Sequence, residues 1–491
     1  MKAGIGRAAW MLAAAACVAV GLAAEQVQET PSIVGAEIKG RAPVSDEVLQ
    51  VKLPRPEEAD LSNGVHLMVL EDHRAPTVSF QLVIQGAGGY YDPVDLPGLA
   101  GFTASLMREG TRTRTSVQIA EQLDTLAASV GVSAGLGSQV ATLTGSSLTE
   151  HVDQLLTLAA DILLNPTFPE DEVQRFKVRQ RAALVQQRSN PGFLARERMS
   201  RVLYGDHPAS RVSTTLAAVD RLTSADMAAF HRRTYVPDHA VLGVVGDITA
   251  GEARRKFEAV VAGWKKAGVP VPTVVDPPDV PASKVYFINR ADSVQTSLVV
   301  GAPAIARLNP DYDALSVMNH ILGGGPTGRL FLSLREDKGY TYGASSSFSA
   351  LRYRGGWQAG TDVRSEVTGP ALTELLKEIR RMREERVSDE EFRNAKRALV
   401  AGFALELESP SAILGDHVTR WLYNLPVDYW DQYPDRVRAV TQQQVQAMAR
   451  KYLDPSKLQI VAVGDGSKVA GLLNGFGTVE TYDTEGRKVG D

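Results

Sequence analysis

The sequence of 491 residues holds a single cysteine, Cys17. An internal disulfide is excluded, and so is a zinc site built from several thiolates. Histidine is sparse too, eight in all, so any metal would rest on few imidazoles together with carboxylates. Neither sign of charge dominates, with 53 Lys and Arg against 57 Asp and Glu. That balance predicts no general attraction to nucleic acid or to an anionic membrane. Beyond residue 24 no run is long and apolar enough to span a bilayer. What is present is ordinary globular composition, 44% apolar and 22% charged, in a length that suits roughly two to four domains.

The N-terminus reads as an export signal. Lys2 and Arg7 form a positive start, residues 8–24 are uncharged and mostly apolar, and Gly21-Leu22-Ala23 places small residues where a signal peptidase reads. As a retained anchor the 17-residue run would sit at the short limit for spanning a bilayer, so cleavage near Ala23 or Ala24 is favoured. Lipidation at Cys17 is disfavoured, because Ala14-Ala15-Ala16 is a poor approach sequence and the apolar run continues past the thiol. A large exported chain without other cysteines suits a bacterial periplasm. The expected divisions are a signal peptide at 1–24, an arm at 25–55, a domain at 56–265, a linker at 266–283, a second domain at 284–475 and a tail at 476–491.

The linker follows from five prolines: Pro270, Pro272, Pro277, Pro278 and Pro281. The parts on either side of it end alike. Thr223 opens a helical segment that leads to Tyr235 and then to an apolar run closing at Gly246-Asp247. Thr441 opens another that leads to Tyr452 and a run closing at Gly464-Asp465. This repetition implies a duplicated domain. Strand-like alternation runs over 65–71, 77–85, 284–289 and 295–300. Helical spacing runs over 116–130, 151–164, 170–187, 367–386 and 389–407. The expected class is α+β: two homologous domains, each a mostly antiparallel sheet with helices on one face.

Several catalytic patterns fail. Gly323-Gly324-Gly325-Pro326-Thr327-Gly328 has dinucleotide spacing, but the preceding residues 312–322 are helical in pattern and the motif needs a strand there. Arg329 stands where a phosphate loop needs Lys. Ser147 with Glu150 reads as a helix capping box rather than the end of a metal motif. His231 and His320 lack partners at helical spacing and read as structural.

Residues 98–111 run Gly-Leu-Ala-Gly-Phe-Thr-Ala-Ser-Leu-Met-Arg-Glu-Gly-Thr. This resembles the zinc helix of the pitrilysin/insulinase metallopeptidases, the inverzincins, whose pattern is Gly-Leu-Ala-His-x-x-Glu-His with a Gly-Thr following. In that resemblance Gly101 and Ser105 replace the two histidine ligands and Ala104 replaces the general base. The family's third ligand, a Glu on a later helix, falls at Ala182 or Ala183, and no Asp or Glu occurs between Glu172 and Glu197. Such side chains cannot replace the ligand set. The resemblance therefore implies no zinc and no peptide hydrolysis in this chain alone.

The second half is similar to the family's glycine-rich stretch, which is followed by Leu-Arg-Glu-Lys and a later Tyr. Here Gly323, Gly324, Gly325 and Gly328 are the glycines, and Arg335 and Tyr342 occupy the Arg and Tyr positions. Taken alone, an Arg beside Glu336 and Asp337 is a solvated ion pair and a Tyr in an alternating strand is packing. The resemblance gives them another role, as donors to substrate backbone and to the oxyanion that forms at a zinc across a closed chamber. It covers residues 60–470, and it implies a periplasmic non-catalytic subunit. That subunit would pair as a heterodimer with a homologous, zinc-bearing sister chain and enclose unfolded peptides in a clam-shell of four similar domains. A structural scaffold of the same family and a stand-alone peptide-binding protein are the alternatives. Retention of Arg335 and Tyr342 favours the subunit.

Overall fold

Alternating burial along residues 77–85 marks one strand of a sheet that continues through most of the first half. In a computed structural model of the chain, residues 51–270 and 272–490 are described. The expected signal segment, with Cys17, and most of the arm lie outside them. The first half contributes β1 (Glu57–Asp60), β2 (His66–Glu71), β3 (Thr77–Gln85), β4 (Ser129–Ser133), β5 (Val140–Leu148) and β6 (Ala240–Gly246). Its helices are α1 (Leu99–Leu106), α2 (Ser116–Thr125), α3 (Val152–Leu164), α4 (Glu170–Arg188), α5 (Pro191–Tyr204), α6 (Leu216–Arg221), α7 (Ser224–Thr234) and α8 (Ala250–Val260).

The second half contributes β7 (Val285–Asn289), β8 (Gln295–Pro303), β9 (Thr341–Phe348), β10 (Gly356–Arg364), β11 (Gln459–Gly464) and β12 (Val479–Tyr482). Its helices are α9 (Tyr312–Gly323), α10 (Arg329–Phe331, widening into a π-helical stretch over Leu332–Asp337), α11 (Thr368–Glu384), α12 (Asp389–Glu406), α13 (Pro410–Tyr423), α14 (Tyr433–Ala439), α15 (Gln442–Tyr452) and α16 (Gly466–Leu473).

The strand orders are β1-β2-β6-β3-β5-β4 and β12-β7-β11-β8-β10-β9. Five positions correspond strand for strand, and β3, β5 and β4 are antiparallel neighbours just as β8, β10 and β9 are. The duplication read from the two chain segments is thus a repeated topology. Thr223 and Thr441 each close a capping box, with Asp226 and Gln444 respectively. The edges differ, since β1 pairs antiparallel with β2 whereas β12 runs parallel to β7. Strand β12 lies in the stretch expected to be a tail.

Helices do not cover one face only. Leu67, Val69, Phe80 and Leu242 join the first half's own helices in one core. Met68, Leu70, Val83, Val241 and Val245, on the opposite face, pack with Ile413, Leu414 and Val418 of α13, a helix of the second half. The reverse also holds: Tyr286, Ile288, Val299, Val461 and Val463 pack with Phe193, Leu194, Met199 and Leu203 of α5. Each half therefore lends one helix to the other's sheet. This accounts for β6 and β11 being buried at every residue, as strands covered on both faces are. Both lent helices begin alike, with Asn190 and Ser409 capping and a proline in the first turn. A glycine lets each approach closely. A Cβ at Gly243 would lie 3.0 Å from Leu414, and one at Gly301 would lie 2.4 Å from Met199 Sδ.

Two further expectations change. The helix expected over 116–130 ends at Thr125, because Ala127 turns at φ 45° and β4 follows. Ser147 caps nothing; it lies inside β5 and its hydroxyl donates to the Leu148 carbonyl at 3.0 Å. The linker has neither strand nor helix among its described residues, and it is pinned. Tyr90 Oη accepts from Val275 N, and Arg354 binds the Asp279 carboxylate and the Pro277 and Pro278 carbonyls.

Candidate functional site

Helix α1 starts at Gly98, whose φ of 101° suits glycine. The Asp92 carboxylate accepts from Gly98 N at 2.7 Å and from Ala100 N at 2.8 Å, fixing that start. Burial pushes the Asp92 carboxyl up to about 6 against the pull of these amides. Leu99, Ala100, Phe102, Thr103, Ala104 and Leu106 are buried. Gly101 and Ser105, one turn apart, face a cleft of about 220 Å³ that is also lined by Gln180, Ala183 and Gln187 of α4. The fold thus brings the degenerate positions together, with Ala183 as the third. Ala182 does not line this cleft and is exposed on α4. Ala104 is buried and does not line it either.

These residues do not fit a zinc ion. Gly101 and Ala183 offer no ligand atom, and the Ser105 hydroxyl alone cannot replace imidazole and carboxylate. A Cβ at position 101 would also lie 3.0 Å from the Ala134 carbonyl. Among the described residues no group of three or more His, Cys, Asp or Glu could hold a metal. The Gly110-Thr111 pair that follows is structural: Thr111 Oγ1 donates to Asp161 at 2.6 Å, and Thr113, Arg114 and Asn165 converge on the same carboxylate.

In the second half the glycine-rich stretch folds tightly between α9 and α10. A Cβ at Gly323 would lie 2.5 Å from Ser346 N, one at Gly324 2.6 Å from His320, and one at Gly328 2.9 Å from Gly323. Three of the four glycines therefore have a packing reason to be there, and only Gly325 opens on free space. Asn319 anchors the end of α9, accepting from Trp357 Nε1 and from Ser346 Oγ, both at 2.9 Å. Arg329, buried, forks onto Glu391 at 2.7 and 3.0 Å, and Glu391 is also the capping-box residue of α12. That guanidinium, with the Ser388 amide, holds the Glu391 carboxyl down at about 2 although burial opposes it. Sequence reasoning missed Asp92, Asn319 and Glu391 because each acts on a partner that only folding brings near.

Arg335 lies on the π-helical stretch, 46% exposed, 3.5 Å from Glu336 and with its guanidinium 4.9 Å from the Phe331 ring. Gly339, at φ 61°, turns the chain, and Tyr340 N donates to the Leu334 carbonyl at 2.9 Å. Strand β9 therefore starts against the helix end, with Tyr342 as its second residue. Tyr342 is 89% exposed, so it is not the packing residue that an alternating strand would suggest.

An insulinase (peptidase family M16) model matches residues 67–213, and a peptidase M16 inactive-domain model matches residues 221–399. The chain belongs to peptidase family M16. It is similar to the non-peptidase homolog YmxG of Helicobacter pylori, at 22% identity over 81% of this chain and 91% of that one. It is also similar to an uncharacterized zinc protease YmxG of Bacillus subtilis, at 23% identity over 79% and 93%. A crystal structure of a peptidase M16 inactive domain from Pseudomonas fluorescens superposes with a TM-score of 0.77 at 29% identity, covering 84% of this chain and 98% of that one. Within the family, this is a chain without the zinc ligands at the motif positions.

Proposed function

We propose that this chain is the non-catalytic subunit of a periplasmic zinc peptidase. In this role it pairs with a zinc-bearing family member and supplies Arg335 and Tyr342 to the partner's site. The observation that carries the proposal is Tyr342, a phenol left in solvent where the pairing of β9 with β10 is interrupted, seven residues after an arginine with only a loose ion pair. Among the described residues the Tyr342 phenol has no hydrogen-bond partner, and the Arg335 guanidinium has only Glu336 and the Phe331 ring. The π-helical stretch under Arg335 points the same way, since such distortions recur at functional sites. The relative named a non-peptidase homolog supports the inactive half of the proposal. The substrate class is unfolded peptide, bound between the two chains, with Gly325 of the glycine-rich stretch open to border it.

The test is reconstitution with a zinc-bearing sister chain. Light scattering after size exclusion should show a heterodimer, with an interface above about 2,000 Å² as expected of an obligate pair. In that complex Arg335→Ala should lower turnover about 10²–10³-fold, the usual effect of losing one oxyanion donor, with assembly intact. Unchanged turnover would remove the in-trans role and leave a scaffold.

A further inference from the structure

Between the two halves lies a second, larger cleft of about 760 Å³. Its walls come from the β4–β5 connection, α5, β10 and the end of α13. Leu136 and Val212 line both this cleft and the smaller one at Gly101 and Ser105, so the two adjoin. No residue of the family's zinc or Arg/Tyr patterns lines it.

Its charge is one-sided. Arg211 and Arg352 line it, and no aspartate or glutamate does. Each guanidinium has a backbone carbonyl as partner, Asp92 O for Arg211 at 3.1 Å and Leu422 O for Arg352. Neither has a carboxylate partner among the described residues. Arg188, Arg329 and Arg354 by contrast have carboxylate partners, Glu197, Glu391 and Asp279, whereas Arg307 and Arg198, like the cleft arginines, have none among the ion pairs of the described residues. Arg211 feels the Asp92 carboxylate at a distance, but neither guanidinium has a carboxylate in ion-pair contact, which leaves both able to take an anionic group.

The polar groups around them are also unengaged. The side-chain amides of Gln85, Gln139 and Gln358 and the phenol of Tyr423 line the cleft with no hydrogen-bond partner among the described residues. An amide both donates and accepts, as a peptide backbone requires of its neighbours. The volume is within the range of about 300–1,000 Å³ in which small ligands are held. Guanidiniums match carboxylates in a fork, and three amides beside them match an extended chain.

We propose that this cleft is a carboxylate-binding subsite for peptides, in which Arg211 and Arg352 take the charge and Gln85, Gln139 and Gln358 hold the adjoining backbone. The preference for a carboxylate follows from the guanidiniums alone. That a peptide carries it rests on the peptide-binding role proposed above. The carboxylate is either a chain end or an acidic side chain.

The test is calorimetric titration of the full chain, without any sister chain, with three hexapeptides of otherwise equal composition. The first is neutral with a free C-terminal carboxylate, the second is amidated with one central Glu, and the third is amidated and neutral. At least one of the first two should bind about tenfold or more tighter than the third, and its affinity should weaken with salt. Which of the two binds identifies the source of the carboxylate. Arg352→Gln and Arg211→Gln should each remove about tenfold of that preference, in samples whose thermal melts match the parent. Gln358→Glu, which keeps the shape and adds a negative charge, should weaken the same peptide. The proposal fails if the neutral amidated peptide binds equally well, or if no peptide binds at millimolar concentration. It also fails if Arg352→Gln and Gln358→Glu both leave the affinity unchanged. None of these readouts involves turnover or Arg335, so either proposal can fall without the other.

Discussion

A phenol as open to water as that of Tyr342 holds no fold together. Tyr342→Phe should therefore leave the melting temperature unchanged, within the ~0.5 kcal/mol typical of surface substitutions. In the reconstituted complex it should lower turnover, but less than Arg335→Ala does, because a neutral donor contributes less than a charged one. A melt that falls together with turnover would make Tyr342 structural. Asp416 on α13 behaves differently. Burial, with Glu406 nearby, pushes its carboxyl up to about 7 from an ordinary 3.8, against the pull of Arg307. The folded chain thus keeps a proton that the unfolded chain releases. The stability this gives is full below about pH 4 and is lost as pH rises through 7. Asp416→Asn should raise the melting temperature relative to the parent more at pH 8 than at pH 5, and an equal difference at both would contradict the assignment. The degenerate metal positions Gly101 and Ser105 were legible in the sequence because motif spacing survives loss of chemistry. Asp92 and Glu391 were not, since a carboxylate that caps a turn or catches a distant guanidinium leaves no local pattern.

Among elements, β3 was legible to the residue, as turn signals bound it and its burial alternates. Strands β6 and β11 gave only an apolar run, because burial on both faces erases the two-residue period. The exchanged helices α5 and α13 were invisible for the same reason: amphipathicity tells that a helix has an inner face, not whose sheet it meets. Helix α2 was read too long, since the left-handed turn at Ala127 carries neither glycine nor asparagine as a warning. Leu414, 3% exposed and seated over Gly243, tests the exchange. Leu414→Ala should cost about 2–5 kcal/mol. Because the side chain belongs to one half and the sheet to the other, denaturant unfolding should remain a single transition shifted as a whole. A two-step curve, with only the second half shifted, would show that α13 matters to its own half alone.

For the whole molecule, the two-fold repetition was legible because both copies keep a Thr cap and a Gly-Asp end 23 residues on, with a Tyr between them. The divergent edge strands carry no such mark, so β12 passed for a tail. Purified alone, the chain should hold far less than one zinc per molecule by metal analysis. Gly101→His with Ser105→His should not change that. Adding Ala183→Glu supplies a third ligand on the cleft wall and should allow zinc to bind, whereas Ala182→Glu in its place should not, since that side chain points elsewhere. Stoichiometric zinc in the parent chain would overturn the substitution argument outright.

The mutual loan of α5 and α13 makes the chain resemble two clasped hands, and a clasp does not depend on the wrists being joined. Severing the backbone within residues 272–281 should leave both pieces associated. Expressed as separate polypeptides, each piece would present a naked hydrophobic face, Met68, Leu70 and Val241 on one and Tyr286, Val299 and Val461 on the other. Neither should accumulate in soluble form by itself. Co-expressed, they should complement one another and co-purify, with the tether adding only effective concentration.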